Sequence, residues 1–196
     1  MSKKLLVEGW RFIHHSYAIV AQSHCLSLLR NGDIELRFED LPFASPAWRS
    51  SRGILDADDE RALGEISAPD PDFTPDATLR FEVNLAPPPS GRKFVFDTPE
   101  FRVLRRRITR GFRSGAEVSD RVHAITPSRW TAEAYLRFGI PPGRVHVVPH
   151  GVDPRVVHPD DTRRAGMRDQ LGVTAPAIRS VLVDIDNGLG GLRKQR

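Results

Sequence analysis

The sequence predicts an α/β protein built as a Rossmann-like, doubly wound and mainly parallel sheet. Three observations carry this. Short apolar runs with the two-residue period of a strand alternate with segments whose apolar residues recur every three or four positions. Gly, Pro, Asn and Asp punctuate the junctions. The chain closes its best-patterned region as strand, serine-capped helix, tight turn and strand, the rhythm of a βαβ unit with a right-handed crossover.

The elements follow in order. "KKLLVEGW" is a short apolar run ending at Gly9, so a first strand is expected over residues 3–8. After the loop "GWRFIHH", Ser16 is placed to cap a helix "SYAIVAQSHCLSLLR", in which Ala18, Ala21, Cys25 and Leu28 line one face and Asn31-Gly32 ends the helix in a left-handed turn. Ile34, Leu36 and Phe38 alternate with Glu35, Arg37 and Glu39 as a second strand. The stretch from Ala44 to Asp76 is mostly loop, with one short helical candidate, "DADDERALGEI", whose acidic first turn suits the helix dipole. "ATLRFEVNL" alternates through Leu79, Phe81, Val83 and Leu85, and "KFVFDT" follows a Pro-rich turn, which predicts two adjacent strands. In "FRVLRRRITRGFR", Leu104, Ile108 and Phe112 lie four apart among Arg102, Arg105, Arg106, Arg107, Arg110 and Arg113, predicting a basic helix over 102–113. The strand "RVHAIT", the helix "SRWTAEAYLRF" with Ser128 as N-cap and Trp130, Ala134 and Phe138 on one face, Gly139 as its stop, and the strand "RVHVVP" complete the pattern.

Composition narrows the class. A chain of 196 residues with 39% apolar and 28% charged residues suits a soluble globular protein of one good core, or one domain and part of another. The start lacks the apolar region of a signal peptide and no window approaches the ~20 apolar residues of a membrane span, so the expected location is cytoplasmic. Cys25 is the single cysteine, which excludes an intrachain disulfide, and no metal-ligand spacing surrounds it. A basic helix at 102–113 is consistent with a solvated face or with peripheral contact to an anionic membrane or acidic ligand. Neither a zinc-ligand spacing nor an RNA-binding aromatic motif points to nucleic acid.

In parallel sheets ligands bind beyond the carboxyl ends of the strands. On this pattern the loops holding Gly9, Asp97 to Glu100, Thr126 to Ser128 and Pro149 to Asp153 gather along one edge.

The segment "ITPSRWTAEAYLRFGIPPGRVHVVPHGVD" with the "HP" that follows resembles the segment closing the N-terminal domain of GT-B glycosyltransferases. The likeness is to the family 4-like retaining enzymes, such as glycogen synthase, sucrose synthase and bacterial mannosyl- and glucosyltransferases. The resemblance implies a cleft between two Rossmann-like domains. There a sugar passes from a nucleotide-sugar donor, which is a substrate rather than a cofactor, to a saccharide or lipid acceptor, with no metal required. It implies an acceptor-side domain over residues 1–153, and a linker helix and the start of a donor-binding domain over 154–196. The family's loop after the first strand maps onto Gly9 and Trp10, with His14 and His15 further along it as either acceptor-pocket or solvent-exposed residues. Its helix-capping serine maps onto Ser128, and its hinge onto His150, Gly151, Val152 and Asp153. Where the family often places a histidine, at the end of the fourth strand, this chain reads "FVFDTPEF": Asp97 or Glu100 would there either orient an acceptor hydroxyl or serve as a cap or surface group. His123 is read as a satisfied strand residue.

The family's donor-side Glu-x7-Glu pair does not occur in this sequence, and Arg193 and Lys194, behind the glycines of "NGLGGLRKQR", would be at most a remnant of a diphosphate-binding loop. The expectation is thus the N-terminal part of a truncated glycosyltransferase, inactive by itself. The alternative is a non-catalytic Rossmann-like module that binds a sugar, a phosphate or a partner. A dinucleotide-binding protein ranks last, because "EGWRFIHH" supplies only one of the glycines such a loop requires.

Overall fold

The computed structural model describes residues 2–99, 102–104, 109–152, 154 and 158–173. It divides into two compact units, Met1–His150 and Gly151–Arg196.

The first unit is built on a six-stranded sheet in the order β2-β1-β3-β4-β5-β6, with every neighbouring pair parallel. The strands are β1 (Lys3–Gly9), β2 (Ile34–Asp40), β3 (Ala77–Arg80), β4 (Arg92–Phe96), β5 (Val122–Thr126) and β6 (Val145–Val147). Helices α1 (Ser16–Asn31) and α2 (Ala57–Glu65) pack on one face and α3 (Arg129–Phe138) on the other, the doubly wound arrangement predicted from the sequence. Because all strands run the same way, all their carboxyl ends share one edge.

Register sorts the side chains by face. Val7 lies beside Phe38 and Leu79, and Leu79 beside Phe94, so β1 to β4 present one apolar surface to α1. Ala18, Ala21, Gln22, Cys25 and Leu26 of α1 are buried against it, and the small residues let the helix approach the sheet closely. Burial pushes the Cys25 thiol up to about 12, so it acts as a small apolar group. The helix ends at Gly32, whose φ of 72° is the left-handed conformation read from Asn31-Gly32. Its N-cap is one residue earlier than predicted. The His15 ring, fixed among Trp10, Tyr17 and Trp48, accepts the Tyr17 N–H at 3.2 Å in place of the Ser16 hydroxyl.

The opposite face carries the second core, where Val95, Val122 and Ala124 meet Ala134 and Tyr135 of α3. The Ser128 hydroxyl accepts the Thr131 N–H at 3.2 Å as predicted, and Thr131 returns the bond in a capping box. The buried stripe is Thr131, Ala132, Ala134 and Tyr135, so Trp130 sits off it and is 47% exposed. Over β1 and β3 this face is charged: Arg80 donates to Glu8 at 2.7 Å and pairs also with Glu82, which holds Arg110 at 2.5 Å. The neighbouring Lys93 is buried, and desolvation, opposed by Glu8, pushes its ammonium down to about 8.

Two predicted elements are corrected. The strand read as far as Leu85 stops at Arg80. Phe81 joins the core under α1 whereas Val83 and Leu85 join the core under α3, so the chain leaves the ladder to cross the sheet edge while still burying alternate side chains. The basic segment does not form a continuous helix over 102–113. Arg102 and Arg110 have φ of 55° and 50°, Thr109 and Phe112 close a turn on each other, Arg102 pairs with Glu133, and Leu104 is drawn into the core. Residues 105–108 of that stretch lie outside the described residues. A basic stripe for an anionic membrane thus loses its helical frame, and two of its arginines are paired with carboxylates. No helix of the described residues is long and apolar enough to cross a membrane.

In the second unit, α4 (Asp161–Gln170) occupies the predicted linker helix, capped by Asp160 and carrying the ion pairs Arg163–Asp160 and Arg164–Asp161, with no buried residue. Asp153, Arg193 and Lys194 lie outside the described residues.

One close approach is diagnostic of the packing. A Cβ on Gly115 would lie 2.2 Å from the backbone of Gly139 and Ile140, where α3 ends. Gly115→Ala is expected to lower the stability of the domain by about 1–3 kcal/mol, the usual cost of forcing an atom into a filled core, read as a lower urea midpoint.

A candidate site at the carboxyl edge of the sheet

At this edge Asp97 follows β4 and is buried. Tyr17, in the first turn of α1, donates to its Oδ1 at 2.7 Å, and Tyr135, in α3, donates to its Oδ2 at 3.1 Å. Thr98 N–H in turn donates to the Tyr17 hydroxyl at 3.1 Å. Burial, then the Asp97 charge, raises both phenols well above their ordinary value, so both stay protonated donors across the physiological range. Both Asp97 oxygens are therefore engaged by protein, and the residue acts as a bracket between helices on opposite faces of the sheet.

Beside this bracket sits a small aromatic and imidazole group. His150, at the end of the first unit and exposed, lies with its ring 5.5 Å from Phe96. His24 of α1 lies 5.5 Å from Phe81 and 6.4 Å from Phe96. Burial, with the charge of His150 second, lowers the His24 pKa. Two imidazoles above a phenylalanine floor can hydrogen-bond sugar hydroxyls when neutral and attract an anion when protonated.

The predicted loop residues fall as follows. Gly9 ends β1 at this edge, but a Cβ there would be 3.4 Å from Phe81 and 3.6 Å from Phe38, so its free side faces the core. Trp10 is buried and donates its indole N–H to Pro42 O at 3.0 Å, holding the first loop against the loop after β2. His15 is the helix cap described above, half-buried, and burial lowers its pKa. His14 is exposed, 3.2 Å from the Ser51 hydroxyl. Ser128 lies two residues beyond β5 on the same edge as Gly9, its hydroxyl taken by the cap. Gly151 and Val152 belong to the second unit, and Glu100 lies outside the described residues. His123 is indeed a strand residue: its Nδ1 is 3.0 Å from His146 Nε2 on β6, and the rings stack at 5.2 Å with Phe94 alongside. Among the described residues no three His, Cys, Asp or Glu side chains come together as metal ligands.

Sequence reasoning missed Tyr17, His24 and Tyr135. The Tyr17–Asp97 and Tyr135–Asp97 bonds span 80 and 38 residues, and no local pattern marks such a pairing. The signal within reach was chemical: a carboxylate at the end of a buried strand needs donors, and a tyrosine inside a helix's buried stripe is a ready one.

Comparison with known proteins adds one finding. The family model described as Glycosyltransferase Family 4 matches residues 96–156. That span is less than half of the chain, and it runs from the end of β4 through Asp97, the Ser128 cap, α3 and β6 to the loop beyond His150. No curated protein and no solved structure matches the chain.

Two outcomes test this geometry. Tyr135→Phe leaves a buried carboxylate oxygen without its donor and is expected to cost about 1–3 kcal/mol in chemical denaturation. The second concerns pH. The folded pKa values of His15, His24 and His123 all lie below the ordinary 6.5, so the unfolded chain binds protons more readily than the folded one. The stability they contribute is complete above about pH 6.5 and is lost as pH falls through the folded values. Urea midpoints measured from pH 7.5 down to 5 should fall, and the fall should be smaller in His24→Gln and His123→Gln.

Proposed function

We propose that this chain supplies the acceptor-side domain of a retaining GT-B glycosyltransferase, which moves a sugar from a nucleotide-sugar donor to a saccharide or lipid acceptor. The observation that carries this reading is where the Family 4 match falls. Within the first unit the matched residues include the end of β4 and the cap of α3, both at the carboxyl edge of a wholly parallel sheet. In this reading His150 and His24 meet acceptor hydroxyls above Phe96, and Asp97 positions α1 and α3 around them. The Ser128 cap leaves the first N–H groups of α3 outside its own bonding, where a negative group is favoured. Residues His150, Gly151, Val152 and Asp153 are the proposed hinge, and the groups that neutralise the donor diphosphate belong to a second domain.

A second reading, a non-catalytic module that binds a sugar, a phosphate or a partner, is favoured by one feature. Where the family often has a histidine, this chain has Asp97, buried and accepting a tyrosine hydroxyl on each oxygen.

Holding donor and acceptor together contributes roughly 7–11 kcal/mol to such a reaction, and losing half of that slows it by more than about a hundredfold. The test fuses the 196-residue chain to a relative's second domain and offers both forms radiolabelled nucleotide sugars with oligosaccharide and lipid acceptors. Transfer by the fusion at least about a hundredfold faster than by the short chain is the expected outcome. Failure of the fusion alongside retained saccharide binding would favour the module, and equal turnover by the short chain would overturn the acceptor-side assignment.

A further inference from the structure

Two loops meet beside the candidate site without forming helix or strand: residues 10–15, which enter α1, and residues 41–55, which follow β2. They are pinned together by Leu41 N–H to Gly9 O at 2.7 Å, Ser51 N–H to Phe12 O at 2.6 Å and the Trp10 bond to Pro42. Phe12 itself has a φ of 57°, a conformation that a bulky residue adopts only when its surroundings hold it there. The loop after β2 is thus a fixed platform.

What the platform displays is a row of rings. Phe43, 44% exposed, lies 6.3 Å from Trp48; Trp48 lies 5.3 Å from Trp10 and 4.6 Å from His15; and His15 stacks on Tyr17 at 5.5 Å. Tyr17 is the donor to Asp97, so the row runs from the surface to the candidate site. Trp10 is buried as core, His15, Tyr17 and Trp48 are half-buried around it, and Phe43 is exposed at the outer end of the row.

The loops' own charged side chains are all basic, while the Glu60 carboxylate of α2 accepts the Gly53, Ile54 and Leu55 N–H groups at the end of the second loop. Residues 9–15 and 41–55 contain Arg11, His14, His15, Arg49 and Arg52 and no Asp or Glu. Arg11 is taken up by Asp40. Arg49 hydrogen-bonds only backbone carbonyls, those of Pro46 and Trp48, among the described residues. Arg52 lies over the Phe12 ring, 3.5 Å from its centroid. The guanidinium of Arg52 is thus oriented by a ring and not by a carboxylate, and Arg49 and Arg52 are both exposed.

We propose that Phe43 and Trp48, flanked by Arg49, Arg52 and His14, form a subsite for an acidic saccharide, a sugar chain that carries carboxylate groups. A pyranose ring presents a face of C–H bonds with partial positive charge, which suits the negative face of an aromatic ring, and the arginines supply fork-shaped donors for carboxylates. The proposal rests on the acceptor-side reading above and deepens it by naming the acceptor's chemistry.

The test is calorimetric titration of the full chain with tetragalacturonate, with neutral maltotetraose, and with citrate as a carboxylate that is not a sugar. Tetragalacturonate should bind, maltotetraose should bind more weakly, and citrate should not compete. Phe43→Ala and Trp48→Ala should each weaken tetragalacturonate by about tenfold, which is about 1.4 kcal/mol. Arg49→Gln and Arg52→Gln should weaken it as well and flatten its salt dependence. Leu136→Ala, an exposed change on α3, should leave binding unchanged. Phe43 is exposed, so its variant keeps the fold, and circular dichroism checks this. Binding of tetragalacturonate that none of these variants alters would overturn the subsite and leave the acceptor-side reading standing. No saccharide binding at all, or equal competition by citrate, would also overturn it, and the fused enzyme would still decide the broader reading independently.

Discussion

The buried carboxylate of Asp97 is the constraint around which this domain is arranged. It ends β4, in the interior of the sheet, and it takes one phenol from the helix layer on each face. A carboxylate taken out of water without partners would be a severe cost, so the two donors are as necessary to the charge as the charge is to them. The result is that α1 and α3, which share no core, are both indexed to the same two oxygen atoms. The positions of His24 on α1 and of the capped start of α3 follow from that.

On the acceptor-side reading proposed above, the groups that meet a ligand lie to one side of Asp97 and not on it. Asp97 is buried and already accepts a phenol on each oxygen, which suits it to hold the two helices. Beside it, among the described residues, lie two imidazoles, His24 and His150, set over Phe96 and Phe81. Imidazole over an aromatic floor suits a hydroxyl-rich ligand, whose ring faces are apolar and whose rims are polar. The Family 4 likeness, confined to residues 96–156, covers this border and gives the chemistry a context without reaching α1 or the loop after β2.

How much was legible in the sequence depended on the range of the interaction. Strand periods at β1 and β2, the left-handed stop at Gly32 and the Ser128 cap are decided within a few residues, and the structure has them where the pattern puts them. The pattern failed where side-chain periodicity and backbone bonding part company. Phe81, Val83 and Leu85 alternate in the sequence because they serve two different cores as the chain crosses between them, so burial persisted after the ladder had ended. The basic segment failed for a related reason. A four-residue apolar spacing suggested a helix, but Arg102 and Arg110 reach Glu133 and Glu82 through left-handed backbone, and those partners are remote in sequence. Tyr17 and Tyr135 were invisible on the same grounds, and so was the His15 cap, which depends on rings from Trp10 and Trp48.

The strand order carries a consequence for how the chain is made. Once β1 and β2 have paired, β3 joins the free side of β1, and β4, β5 and β6 each then join the free side of the strand before. No strand has to be threaded between two that are already bonded. A polypeptide emerging from its amino end can therefore extend this sheet one strand at a time in the direction of synthesis, always on the side away from β2. The three-residue β6 then offers a short outer rim for further pairing.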